Sequence, residues 1–186
     1  MNTNGIEPIV KKYAQYGLNE AKQSTELFHK WLDVWSMGLV GEIGEAYKYL
    51  GFEKAQELQA EIADICWYSI ALDLLLEKTY CQNVELKEVS RNFSIGEKKT
   101  TMVSSLIKAT EFLETVKKYR RDYPKRDINS ILGYEKPLLT LSGVFDFSET
   151  PQILEEKLGK RYPNGFNPTD SINRDNPGGQ QVFPAL

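Results

Sequence analysis

The residues best suited to chemistry lie between Gly38 and Leu76. There the chain reads GLVGEIGEAYKYLG, passes a short polar break, and continues ELQAEIADICWYSIALDLLL. Two acidic pairs stand in it, Glu42 with Glu45 and Glu61 with Asp64, each spaced i, i+3. On a helix that spacing sets both carboxylates of a pair on one face, about one turn apart. Acidic residues three apart also occur on solvated helix faces, so the second pair decides the reading. Of the fifteen residues from Ile62 to Leu76, only Asp64, Ser69 and Asp73 are not apolar or aromatic. A helix apolar all round is buried, and this run is too short and too acidic to span a membrane. Its carboxylates therefore sit at or near an interior surface, where an uncompensated charge costs several kcal/mol. Gly51 suits the C′ position of the first helix. Two antiparallel helices then let the four acids converge, and such a group needs a cation.

The donor types narrow the choice of cation. His29 is the only histidine, and neither Cys66 nor Cys81 lies in a ligand-like pair. An all-oxygen site suits Mg²⁺ or Mn²⁺ and argues against Zn²⁺. A di-iron bundle needs a Glu-x-x-His motif on each of two helices. Glu26 to His29 supplies one, and there is no second. Lys48, one turn beyond Glu45, suits a phosphate contact, neutralisation of the carboxylates or a plain salt bridge. Tyr68 follows Asp64 by four, so its hydroxyl can point into the same site. Asp73 falls on the other side of the helix and reads as structural.

These words resemble a known signature. Glu42-x-x-Glu45 followed by Glu61-x-x-Asp64, in the settings GLVGEIGEA and EIADICWYSIAL, resembles the all-α nucleoside triphosphate pyrophosphohydrolases of the MazG-like group. A second block, EEKLGKRYPNGFNPTDSINR from Glu155 to Arg174, resembles the tail of phage and bacterial MazG-like proteins. Together the two blocks cover about a third of the chain. The resemblance implies a helical bundle, a homodimer or homotetramer, and Mg²⁺-dependent hydrolysis of a nucleoside triphosphate to monophosphate and pyrophosphate. It implies that Glu42, Glu45, Glu61 and Asp64 hold the metal, and that aromatics and a histidine near Trp35 and His29 approach the nucleobase. It also implies that Lys157, Arg161 and Tyr162 lie near the active site or close the subunit contact. The same site acting on a guanosine alarmone, and a non-catalytic nucleotide-binding or scaffold protein, are the alternatives.

The elements that must position these groups read as helices throughout. A chain of 186 residues with 41% hydrophobic content can bury one real core. Residues 1–186 are expected to form a single all-α domain, with an inserted helical segment over 83–149 and an extended tail over 163–186. Pro8 suits the first turn of a helix that Gly17 ends. Asn19 suits the N-cap of a second helix, Glu20 to about Trp35. Leu27, Trp31 and Trp35 repeat every four residues, a stripe that fits core packing or a wall against a base. Ser36 suits the cap of the first acidic helix, in which Gly38, Gly41 and Gly44 recur every third residue. Each such glycine costs up to ~1 kcal/mol against alanine, which predicts close backbone approach to a helix or to substrate. The second acidic helix is expected from Glu53–Gln56 to about Thr79.

Beyond the acidic helices, Thr100 to Tyr123 reads as a long helix stopped by Pro124, with Met102, Leu106, Ala109, Phe112, Leu113, Val116 and Tyr119 on one stripe. Asp127 suits the cap of a short helix, Ile128–Leu132, while Pro137–Phe147 fits helix or strand. Thr150 and Pro151 suit N-cap and N1 of a last helix to about Lys160. Net charge is −3, which implies no general attraction to nucleic acid or anionic membrane. The basic cluster Lys117, Lys118, Arg120, Arg121, Lys125 and Arg126 reads mainly as a solvated helix end, where cations suit the dipole. With no basic-then-apolar leader and two thiols that fit a reducing compartment, a cytoplasmic location is expected. The chain has no G-x-x-x-x-G-K-[ST] loop and no nucleophile with an evident partner. Direct attack of water at the α-phosphorus is therefore expected, with one carboxylate or the metal activating it.

Overall fold

The computed structural model describes residues 5–52, 54–78, 92–132 and 137–163. Every regular element among them is a helix: α1 (Glu7–Ala21), α2 (Thr25–Gly51), α3 (Ala55–Leu75), α4 (Ile95–Asp122), α5 (Asn129–Leu132), α6 (Pro137–Leu141) and α7 (Thr150–Arg161). None is long and apolar enough to cross a membrane. The readings made for Cys81, for the first part of the 83–149 segment and for the tail beyond Pro163 fall outside the described residues.

α2 is the axis of the bundle. It begins where the Ser24 hydroxyl accepts a hydrogen bond from the Leu27 amide at 3.2 Å. Its core stripe, Leu32, Trp35, Leu39, Ile43, Ala46 and Leu50, is buried throughout and follows the helical period. α1, α3 and α4 all pack on α2, each antiparallel to it. Across α1–α2, Glu20 meets Lys30 where Gly17 meets Trp31 and Trp35. Across α2–α3, Gly38 meets Tyr68 where Glu42 meets Glu61, and Trp35 meets Trp67. Across α2–α4, His29 meets Tyr123 where Asp33 meets Arg120. α7 packs on α3 and α1, and α6 on α4 and α3.

Several boundaries differ from the sequence reading. Gly17 does not end a helix; it lies buried inside α1 because a Cβ there would meet Trp35 at 2.8 Å and Trp31 at 2.9 Å. Asn19 is no N-cap, and Glu20 closes α1 rather than opening α2. The Glu20 carboxylate accepts from Tyr16, Lys30 and the Trp31 indole at 2.7, 3.2 and 3.0 Å, tying the two helices together. Ser36 caps nothing: its hydroxyl donates to the Leu32 carbonyl one turn back, and α2 runs on through it. At the far end of α2, Gly51 is the last helical residue and Phe52 takes the cap position.

The remaining elements lie close to expectation. α3 has buried residues on every side, from Ile62 to Leu75, and Asp73 is only 2% exposed. α4 starts earlier than Thr100, because Ser94 and Glu97 form a reciprocal capping box. Its buried stripe is Met102, Ser105, Ala109, Phe112, Val116 and Tyr119. Asp127 accepts from the Asn129 amide at 2.9 Å at the start of α5. Pro137–Phe147 is helix only over α6, then turns. Thr150 is the first helical residue of α7 rather than its cap, which is Glu149.

Candidate metal and nucleotide site

The α2–α3 seam determines the geometry of the acids. Gly38 is needed there, because a Cβ would come within 2.4 Å of the Tyr68 ring. One turn on, Gly41 and Gly44 have nothing within 4 Å, so the predicted close approach holds only at Gly38 among the described residues. The tight crossing at Gly38 sets the register, and α2 and α3 then carry their acids past each other. Glu42, Glu45 and Glu61 each offer a carboxylate oxygen, and these atoms lie within 4.8 Å of one another. Glu42 and Glu61 are half-buried and Glu45 is exposed. Asp64 is not in this group. Its Oδ2 accepts from Lys157 Nζ of α7 in a part-buried ion pair.

The charges are poorly compensated. Burial first, then a hydrogen bond that the protonated carboxyl donates to Glu61 and the charges of Asp64 and Glu61, push the Glu42 carboxyl up to about 8. Burial likewise raises Asp64, while Lys157 and Arg161 pull it the other way. Tyr68 is pushed up to about 12 by burial and by the charges of Glu42 and Asp64, so its hydroxyl keeps its proton at neutral pH.

Beside the acids lies a cavity of about 310 Å³. α1 contributes Tyr13, Ala14 and Gly17 to it, α2 contributes Trp31, Val34, Trp35 and Glu42, α3 contributes Asp64, Trp67 and Tyr68, and the end of α7 contributes Leu158, Arg161 and Tyr162. Glu42 belongs both to the glutamate cluster and to the cavity wall. The volume is at the small end of the ~300–1,000 Å³ usual for small-molecule pockets. The α1 wall and Trp67 were not singled out from sequence. Gly17 carried the available signal, since a glycine inside a helical pattern marks close approach as readily as a stop.

Two candidates lie elsewhere. His29 is 8% exposed and packs edge-on against Tyr119 and Tyr123 of α4, with ring centroids at 5.3 and 4.9 Å. It does not line the cavity, because position 29 faces α4 whereas Trp31 and Trp35 face α1 and α3. Lys48 is exposed, with its ammonium 5.7 Å from the Tyr49 ring, and it too is absent from the cavity wall. The basic cluster is largely paired within the chain: Arg120 with Asp33, Lys117 with Glu114, Arg121 and Arg126 with Asp122.

Comparison of the chain with family models, with curated proteins and with solved structures returns no match.

Proposed function

We propose that the chain is a Mg²⁺-dependent nucleoside triphosphate pyrophosphohydrolase of MazG-like type, releasing nucleoside monophosphate and pyrophosphate. One observation carries the reading: three glutamates from two helices meet, and one of them, Glu42, lines an aromatic cavity. The all-carboxylate donor set fits a hard cation, and the raised Glu42 carboxyl marks a cluster short of positive charge. Glu42, Glu45 and Glu61 would hold Mg²⁺, with Mn²⁺ as a substitute. Bound there, the metal supplies charge neutralisation at the phosphates and a more acidic water.

The chain's own groups do the rest. Trp67, part-buried at the cavity wall with the buried Trp35 and Trp31 packed behind it, offers the aromatic surface on which a base stacks, a contact worth ~1–3 kcal/mol. Arg161 brings a fixed cation to the phosphate side of the cavity. The Tyr68 hydroxyl, which keeps its proton, would donate to a phosphate oxygen beside the acids. One of the clustered carboxylates accepts the proton of the attacking water. Cys66 does not offer a nucleophile for a covalent step, because it is buried and its thiol is pushed up by that burial.

A screen of nucleoside and deoxynucleoside triphosphates with Mg²⁺, reading pyrophosphate, tests the class. In ¹⁸O-labelled water the label should enter the monophosphate. Label in pyrophosphate, or orthophosphate as first product, overturns attack at the α-phosphorus. The reading also has the chain act as a homodimer. Met37 is exposed on the side of α2 that carries the open Gly41 and Gly44, a face that suits a second copy. A monomer in sedimentation at micromolar concentration overturns that part.

A further inference from the structure

Of the four acids in the two i, i+3 pairs, Glu42, Glu45, Glu61 and Asp64, three meet and the fourth stands beside them. Glu61 and Asp64 are one turn apart on α3, yet Glu61 turns to Glu42 and Glu45 while Asp64 turns to Lys157 of α7. Lys157 and Arg161 are spaced i, i+4 on α7, and both bring positive charge to Asp64. The same end of α7 supplies Leu158, Arg161 and Tyr162 to the cavity wall. Docking of α7 thus neutralises one carboxylate and encloses the cavity in a single contact. A part-buried carboxylate needs a counter-charge, and here an ammonium group provides it.

We infer that Lys157 is the resident counter-ion of Asp64, and that a divalent cation at the glutamates competes with it, so that metal binding and the seating of α7 on α3 oppose each other. The inference rests on the metal reading proposed above. A divalent ion gains by recruiting Asp64, one turn from Glu61, as a further oxygen ligand. Recruitment takes the carboxylate from Lys157, and α7 loses its ion pair to α3. The cavity wall formed by Leu158, Arg161 and Tyr162 then loosens, which couples metal loading to access. Linkage makes the effect reciprocal: whatever factor α7 docking costs the metal, the metal costs α7 docking. Lys157 is in this account a positioning residue that acts through Asp64.

The test uses Mn²⁺ alone as probe, on the full chain. Free Mn²⁺ is followed by electron paramagnetic resonance during titration of wild type, Lys157→Met and Lys157→Arg. Lys157→Met should bind Mn²⁺ roughly tenfold more tightly, within the range usual for coupled sites, and Lys157→Arg should stay close to wild type. Hydrogen exchange of the α7 amides should speed up in wild type when Mn²⁺ is added. Equal or weaker Mn²⁺ binding by Lys157→Met overturns the inference, as does α7 protection that is unchanged or rises with Mn²⁺. Should Lys157→Met fail to fold, the wild-type exchange measurement decides alone. Failure of the underlying site looks different: wild type then takes up no Mn²⁺, or Glu61→Gln takes it up equally well. Uptake that is lost in Glu61→Gln but unaltered in Lys157→Met sinks only the competition.

Discussion

The two long faces of α2 handle charge in opposite ways. Toward α4, Asp33 is paired with Arg120, and His29 is enclosed by aromatic rings with its charge suppressed. Toward α3, carboxylate faces carboxylate, and the positive charge comes only from α7 among the described residues. Both seams are apolar at heart, so packing alone does not distinguish them. The difference lies in compensation. On the α4 side the acid has its counter-ion and the histidine is held toward its neutral form, and the α3 side holds repulsion that a ligand can relieve.

The largest expected contrast is in activity. Glu61→Gln should reduce pyrophosphate release more than ~100-fold, since even outer partners of a metal ligand are worth 10–100-fold. Its helical circular dichroism should stay intact. His29→Gln, on the opposite seam, should keep its turnover. Full activity in Glu61→Gln would remove the functional distinction between the seams.

Stability separates them next. Gly38→Ala drives a methyl into the Tyr68 ring at 2.4 Å. Overpacking of this kind costs about 1–3 kcal/mol, only partly offset by the ~1 kcal/mol gain in helix propensity. A lower urea midpoint is expected, together with weaker metal binding as Tyr68 and the acids shift. A midpoint equal to wild type would show that the crossing at Gly38 does not set the register.

pH should move the two seams in opposite directions. The Glu42 carboxyl rises from 4.5 to about 8 on folding, so the folded chain holds a proton that the unfolded chain has lost. Its stabilising effect is complete below 4.5 and is lost as pH climbs toward 8. His29 is held below its ordinary 6.5 by burial first and by the Arg120 charge second. There the unfolded chain binds the extra proton, so stability is lost as pH falls below 6.5. In metal-free buffer the wild-type Tm should decline between pH 6.5 and 8. Glu42→Gln should flatten that decline, and His29→Gln should flatten the fall on the acid side. A Tm that rises from pH 6.5 to 8 would contradict the crowding of the acids.

The smallest effect belongs to the compensated seam. Asp33 and Arg120 are 26% and 42% exposed, and pairs of that kind contribute about 0.2–1 kcal/mol. Asp33→Asn should lower the urea midpoint by no more than that, less so at high salt. A larger loss would mean that the α4 side is as electrostatically tense as the α3 side.

Much of this molecule is legible in the chain itself. The apolar run 62–76 forces α3 into the interior, the stripe Met102 to Tyr119 forces α4 onto a neighbour, and acids three apart must share a helix face. Those are consequences of period and hydrophobicity, which are local. What sequence could not determine depends on partners distant along the chain. Gly17 and Ser36 carry stop and cap signals, but both are overridden: Trp31 and Trp35 need the backbone of Gly17 close by, and the Ser36 hydroxyl satisfies itself on Leu32. The face of α2 that each side chain joins was likewise open. His29 and Trp35 are six residues apart, and about 100° per residue sends them to different neighbours. Only packing showed that Trp35 joins the cavity and His29 joins α4. The spacing of Glu61 and Asp64 put both on one face. It took the docking of α7, with Lys157 ninety-three positions from Asp64, to turn one acid to the cluster and the other to an ammonium group.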